Sequence, residues 1–586
     1  MSEKDHMPEA SRSRSNSTLS TDTDSIPSSR TQSRARSFAS TIKSRTNADT
    51  LYQTYSGTYP DDTVPYRTGD TPTEEQNPAG RNAKITEVRT NGQDVDLERG
   101  LDAGQNLEKS KTGRSTLVNS KMVTWDGPDD PENPKNWSST NKWMAVVMVS
   151  LFTFVSPVSS SMVAPALDKV AEDLDISSEF VLQLTMSIFI LAYAVGPLFL
   201  GPLSEVYGRT IVLQLSNLFF LAFNIGCGFA QNTTQMIVFR FFAGLGGSAP
   251  LAIGGGVLSD TFLPEQRGKG LAVYSLAPLL GPALGPIAGG FIAENVTWRW
   301  VFWSVSILDG VVQIAGLYFL RETYAPRLLG NRAKRLTKET GEAHHTETDL
   351  TKVTLSEKLS SSIVRPFRLL TTQPIVQVLA VYMAYIYGLM YLMLSTFPTL
   401  WTSEEYYNES SGIGGLNYIS IGVGFWGGSQ FCAPMIDRIY RILKARNNGV
   451  GKPEFRIPLM SIAAILLPTG LFIYGWTAEY RCHWIAPNIG AAIFGMGVIM
   501  AFQCIQTYMV DTYTRFAASA LAAGAFLRAL AGFGFPLFAP YIYASLHYGW
   551  GNSVLGFIGI AIGIPAPIFL WKFGEKLRTK SPYAAG

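Results

Sequence analysis

Three charged residues stand in the middles of long apolar runs: Arg240, Asp309 and Arg528. A charge at that depth in hydrocarbon costs at least ~2.5 kcal/mol even on lenient insertion scales, so such residues face a cavity or a partner. Asp309, ten residues into its run, suits a proton carrier or a counter-ion for a cationic ligand; the plainer alternative is a structural ion pair or polar helix contact. For Arg528 the choice between transport duty and a structural role is likewise open, and for Arg240 the plainer reading is snorkelling to an interface or pinning backbone carbonyls. A second group lies in a polar turn, GPLSEVYGRT (201–210), where Glu205 and Arg209 place opposite charges at i and i+4. Gly201 and Gly208 permit a tight turn there, and in isolation the pair reads as a solvated ion pair of little energetic weight. A third stretch, LLGPALGPIAGGF (279–291), builds an apolar helix from residues that break helices in water.

Other chemistries find no foothold. No GxxxxGK[ST] occurs, which disfavours an ATP-driven pump. The four cysteines and five histidines show no metal-ligand spacing, and no nucleophile–base pattern stands out. No cofactor, metal or enzymatic activity is therefore expected. The net charge of +3 is too small to suggest nucleic acid.

The elements that must carry these residues follow from hydropathy. Twelve stretches reach the ~20 apolar residues that cross a bilayer: about 143–163, 181–201, 210–230, 236–258, 271–293, 299–320, 375–397, 412–434, 457–477, 484–510, 516–541 and 550–571. We number these spans 1 to 12. The longest polar interruption, about 321–373, divides them six and six. Residues 1–140, rich in Ser and Arg, bury too little apolar surface to offset their ordering entropy and are predicted to be a disordered cytosolic tail. Its serines at 13, 15, 17 and 37 resemble kinase substrates or simply a solvated tail. The expected organisation is thus a tail (1–140), a first bundle (141–320), a central cytosolic loop (321–373), a second bundle (374–573) and a cytosolic C-terminus (574–586).

Basic residues in short loops set the orientation. Arg209, Arg267, Lys269, the central loop, Arg438, Arg441, Lys444, Arg456, Arg515 and Lys572 all fall on one side, which places both termini in the cytosol. Of the three sequons on the other side, Asn408 lies farthest from the membrane and is the glycosylation candidate. The halves also repeat: Asp260-Thr261-Phe262 ends span 4 as Asp511-Thr512-Tyr513 ends span 10, and Pro202 precedes Glu205 as Pro434 precedes Asp437. Paired halves are how many secondary transporters build alternating access.

Set between two membrane spans, GPLSEVYGRT resembles the loop 2–3 motif of the major facilitator superfamily. RFFAGLGGSAP in span 4, GPALGPIAGG in span 5, and WRW (298–300) followed by ETYAP (322–326) resemble its twelve-span drug:proton antiporters, particularly fungal multidrug and polyamine members. WDGPDDPENPKNW before span 1 and KPEFR (452–456) look like fungal members too. Glu205 stands where the family usually has aspartate, and Val206 and Thr210 where it has basic residues.

The resemblance implies an all-α membrane protein of major facilitator fold, with twelve helices in two six-helix bundles and no cofactor. It implies a cytosolic charge latch of Gly201, Glu205, Gly208, Arg209 and Asp260. It places Arg240 at a position linked to proton coupling, and Asp309 and Arg528 are candidates for the same duty. Gly281, Pro282, Gly285, Pro286, Gly289 and Gly290 would be the antiporter motif, a smooth bent surface on which the bundles rock. From the residues themselves, Asn217, Tyr382, Tyr385, Tyr391, Gln503 and Gln506 are candidates for a mostly apolar substrate wall, against interface tyrosines and helix-bridging amides as the plainer reading.

The function expected is proton-coupled export of structurally diverse amphipathic or cationic small molecules, conferring drug resistance, by a monomeric unit in the plasma membrane or, alternatively, the vacuolar membrane. The partners are small-molecule substrates, protons and the lipid bilayer. Narrower export of polyamines or a secondary metabolite is the alternative, and a nutrient-sensing receptor on a transporter scaffold is the rival from another class.

Overall fold

The structure, a computed structural model, describes residues 122–351 and 355–584. The expected tail therefore lies outside the described residues up to position 121. Among the described residues, ten helical stretches are long and apolar enough to cross a membrane. Helix is the form expected there, because hydrocarbon offers backbone N–H and C=O groups no partner but each other. The last of these stretches holds two crossings: Ala517–Gly563 runs 47 residues and is interrupted at His547 (φ 52°, ψ −175°). At 1.5 Å per residue that length is about twice the ~30 Å hydrocarbon core. Helix Tyr418–Arg446, 29 residues with a polar last third, supplies span 8 and completes twelve.

Several boundaries are written in the sequence. The Ser138 hydroxyl caps span 1 (Ser139–Ser161) through the Asn141 N–H, and the Asn232 side chain caps span 4 through the Gln235 N–H at 2.9 Å. Span 4 is two helices, Thr233–Gly247 and Ala249–Thr261, broken at Ser248. Its glycines are there for close approach: a Cβ on Gly244 would lie 2.5 Å from the Phe189 carbonyl of span 2, and one on Gly246 would lie 2.5 Å from the Ser216 carbonyl of span 3.

Span 5 (Pro264–Asn295) stays helical through Pro278, Pro282 and Pro286. Sequence reasoning put the ridge Gly281, Gly285 and Gly289 at the seam between bundles; the structure turns it to span 1 of the same bundle. A Cβ on Gly281 would lie 2.6 Å from Pro157, and one on Gly285 would lie 2.6 Å from the Ser161 hydroxyl, while Gly289 abuts the Met162 carbonyl. The seam is the other side of the helix. There Ala283, Pro286 and Gly290 meet Gly422, Gly415 and Ser411 of the second half. Two residues along a helix is a turn of about 200°, so positions 281 and 283 cannot share a face.

The polar interruption between halves is largely helical, with Ala325–Thr340, Glu347–Thr351 and Leu355–Thr372. The segment 122–138, placed by its composition in a disordered tail, is folded onto the first of these helices. Arg332 is bound by Asp130 at 2.7 Å and by Asp126, and Arg335 is bound by Glu132 at 3.1 Å. The Val123 N–H reaches the His345 carbonyl. Asp130 also accepts the N–H groups of Asp126 and Glu132. Those backbone bonds and the Arg332 guanidinium hold its carboxyl below the usual carboxylate range. Composition alone missed this strap because its stability comes from charge pairs to a helix two hundred residues away.

Candidate functional site

Two matching charge clusters sit on the basic face, one in each bundle. In the first, Arg209 starts span 3 (Arg209–Gly228) and is nearly fully buried. Its Nε donates to Asp260 at 3.3 Å, one NH2 group donates to the Ser204 hydroxyl at 2.7 Å, and Glu205 lies at 4.0 Å. The Tyr324 ring lies 4.8 Å from the guanidinium. Gly208 carries the chain into this helix at φ 102°, where a side chain would also strike the Glu322 carboxylate. Gly201 instead lies within helix Glu179–Tyr207 with open space beside it, so the tight turn needs only one of the two glycines. The Glu322 carboxylate caps the helix, accepting the N–H groups of Arg209 (2.9 Å) and Thr210 (3.2 Å).

In the second bundle, Arg456 donates from Nε to Asp511 at 2.9 Å and from an NH2 group to Asp437 at 2.7 Å. The Tyr440 ring lies 4.4 Å from its guanidinium. Thus the acid after span 2 or 8, the acid ending span 4 or 10, a buried arginine and a tyrosine ring recur in both halves. The arginines come from different points in the loops, four residues after Glu205 but nineteen after Asp437.

On the opposite face the halves are joined by Glu294 at the end of span 5. Its carboxylate accepts the Ser410 hydroxyl at 3.0 Å and the Gly412 N–H at 2.7 Å. Asn408, in the adjoining turn at φ 50°, is exposed.

The three mid-span charges have three different surroundings. Arg240 is fully buried and donates to four carbonyls: Ser159 (2.9 Å) and Ser160 (3.3 Å) of span 1, and Thr185 (3.2 Å) and Met186 (3.3 Å) of span 2. Span 1 ends at Ser161, so the first two belong to the last turn, where helical carbonyls lack their own partners. Phe189 stacks on the guanidinium at 4.6 Å. Of the sequence-based options for Arg240, the geometry matches the carbonyl pin.

Asp309 is also fully buried, and both its oxygens accept from the Asn217 amide, at 3.0 and 3.1 Å. The same amide reaches Gln313 at 2.9 Å, and Gln313 donates to the Gln214 carbonyl. Asn224, two turns beyond Asn217, joins Ser159, Ser306 and the Phe302 carbonyl. A polar ladder between spans 3 and 6 therefore ends at Ser159, whose carbonyl Arg240 holds.

Arg528 lies about midway along span 11, half-buried, with Tyr387 at 5.2 Å and Phe502 at 5.5 Å from its guanidinium.

The candidates for the substrate wall divide. Tyr382 and Tyr385 turn to span 12: the Tyr385 hydroxyl bonds the Leu555 carbonyl, and Gly563 abuts the Tyr382 ring. Tyr391 faces the first bundle, its hydroxyl 3.5 Å from that of Ser160. Gln503 bonds Ser429 of span 8 at 2.9 Å, and Gln506 is half-buried on span 10. Asn217 is committed to Asp309.

Residues 149–536 match the family model of the Major Facilitator Superfamily. The chain belongs to this superfamily. It is 55% identical to the efflux pump vrtL of Penicillium aethiopicum over 79% of the chain and 92% of that protein. It is 44% identical to the efflux pump radE of Floropilus chiversii, over 78% of the chain and 85% of that protein. The fold is shared with the xylose transporter XylE of E. coli, in a partially occluded inward-open conformation, at a TM-score of 0.55 and 15% identity over 74% of the chain and 98% of XylE. The protein is a multi-pass membrane transporter and not an enzyme.

Within this superfamily member, sequence reasoning missed Glu322, Arg456 and Glu294. Glu322 and Arg456 lay inside quoted motifs, ETYAP and KPEFR. The repeated acids Asp437 and Asp511 already called for a basic partner. Glu294 gave no signal, because its partners are a hydroxyl and an N–H from the far half.

Proposed function

We propose that this transporter is a proton-coupled exporter of amphipathic small molecules, a monomer in the plasma membrane with its basic face and both termini in the cytosol. The observation that carries the coupling is Asp309, a carboxylate fully buried at mid-span whose partner is the neutral Asn217 amide. An ionised carboxylate without a cation beside it is costly in such surroundings, and taking up a proton removes the cost. Protonation and release of Asp309 would alter the bond to Asn217 and, through the polar ladder, the register of spans 3 and 6 against span 1. Drug-sized molecules would bind at the aromatic seam near Tyr387 and Tyr391. The direction, outward, rests on the relatives named efflux pumps. Because Asp309 is turned to span 3 within its own bundle, a preference for cationic substrates has no mid-depth carboxylate to rest on among the described residues.

The Arg209–Asp260 and Arg456–Asp511 clusters are proposed as the paired latch, formed in one facing state and strained or broken in the other. The membrane potential would add about 2.3 kcal/mol per proton per 100 mV to the driving force. The test is efflux of a panel of labelled drugs from cells overexpressing the chain, with and without a protonophore. Lower accumulation that the protonophore abolishes is expected. Unchanged accumulation of every compound contradicts export, and indifference to the protonophore contradicts the coupling.

A further inference from the structure

We infer that Arg528, with Tyr387 and Phe502, forms a recognition site for acidic aromatic molecules, so that the preferred cargo carries a carboxylate or similarly ionised oxygen on a flat ring system. The inference rests on the export reading, whose cargo it specifies.

The three mid-span charges differ in what is left for a ligand. Arg240 spends its donors on four carbonyls, and Asp309 is held by Asn217. Arg528 has two rings beside it, and among the described residues its guanidinium makes no hydrogen bond or ion pair. Five N–H donors in a fixed fork are thus uncommitted, at a depth where a lone cation is expensive. A carboxylate satisfies that fork in two parallel bonds, whereas a cation would be repelled.

The surroundings supply the aromatic part. The rings of Tyr387 and Phe502 are 5.8 Å apart, and Tyr391 lies 4.9 Å from Tyr387. These surfaces stand at the seam of the bundles: one turn beyond Arg528, a Cβ on Gly532 would meet both Tyr387 and Ile190 of span 2. A ligand held there touches both halves, as a cargo that drives their rocking must.

Two dyes with one xanthene skeleton separate charge from shape: fluorescein, an anion with a free carboxylate, and rhodamine 6G, a cation whose carboxylate is esterified. Binding of each to the purified full chain in nanodiscs is measured by fluorescence polarisation. The wild-type chain is expected to bind fluorescein at least tenfold more tightly than rhodamine 6G. Arg528→Gln should weaken fluorescein at least tenfold and leave rhodamine 6G within about threefold, which also reports that the variant is folded. Arg528→Lys, which keeps the charge, should stay within about fivefold of wild type for fluorescein. Equal or tighter binding of rhodamine 6G by the wild-type chain, binding of neither dye, or fluorescein affinity unchanged in Arg528→Gln overturns the inference. If the glutamine variant does not fold, the wild-type preference between the dyes decides. Because binding is read without transport, loss of this inference leaves export standing, while cells that accumulate every compound normally contradict export itself.

Discussion

Arg456 binds Asp511 through Nε at 2.9 Å, and Arg209 binds Asp260 through the same atom at 3.3 Å in the other half of the chain. Each arginine and its span-ending acid are nearly buried, and each guanidinium lies against a tyrosine ring. Breaking one partner of such a pair leaves a buried charge uncompensated, at about 3–5 kcal/mol. In a transporter that cycles between two packings, a loss of that size is enough to displace the equilibrium by two or more powers of ten.

Arg209→Ala should therefore lower efflux at least tenfold with the protein still made and inserted. Comparing transport rate with surface amount by biotinylation checks it, and normal efflux would remove the latch.

Arg456→Ala should give a deficit of similar size, because the second cluster repeats the first. Thermal unfolding in detergent with a thiol-reactive dye, run beside transport, separates the two readings. A variant that unfolds as wild type but does not transport has lost switching and not folding.

Gly285→Leu and Gly422→Leu should fail differently. A side chain at Gly285 meets the Ser161 hydroxyl and the Val158 carbonyl within the first bundle, while one at Gly422 meets Ala283 across the seam. Overpacking costs about 1–3 kcal/mol. Gly285→Leu should lower the melting temperature and abolish transport. Gly422→Leu should leave the melting temperature near wild type and slow closure, read as increased solvent access to a cysteine reporter at the outer end of span 8.

The strap 122–138 should release at acid pH. The carboxyl of Asp130 is held below its ordinary range by the N–H groups of Asp126 and Glu132 and by Arg332. Its contribution is thus fully present above the ordinary carboxylate value of about 4 and is lost as pH falls through the lower folded value. Hydrogen exchange of the Asp126 and Glu132 amides should stay slow at pH 5 and quicken only below about pH 4. In Arg332→Gln exchange should already be fast at neutral pH.

The sequence made the membrane architecture legible, because twenty apolar residues admit little but a spanning helix. The repeated Asp-Thr-aromatic ends of spans 4 and 10 disclosed the two halves. Which side of a helix a residue faces was another matter. Gly281, Gly285 and Gly289 form a ridge by spacing alone, yet spacing does not say whether span 1 or span 8 fills the groove. Tyr382 and Tyr391 are equally apolar in context, and only packing turns one to span 12 and the other to Ser160. The strap was hidden for the opposite reason: its residues are polar, and their partners Arg332 and Arg335 are remote in sequence.

The central claim is that Asp309 couples proton movement to export. Its most direct measurement is dye transport in proteoliposomes under an imposed pH gradient, with counterflow of the same dye at equal pH as the control. The wild-type chain should accelerate transport at least tenfold with a gradient of one pH unit, and Asp309→Asn should lose that acceleration while keeping counterflow. Undiminished acceleration by the gradient in Asp309→Asn, or none in the wild-type chain, would contradict it.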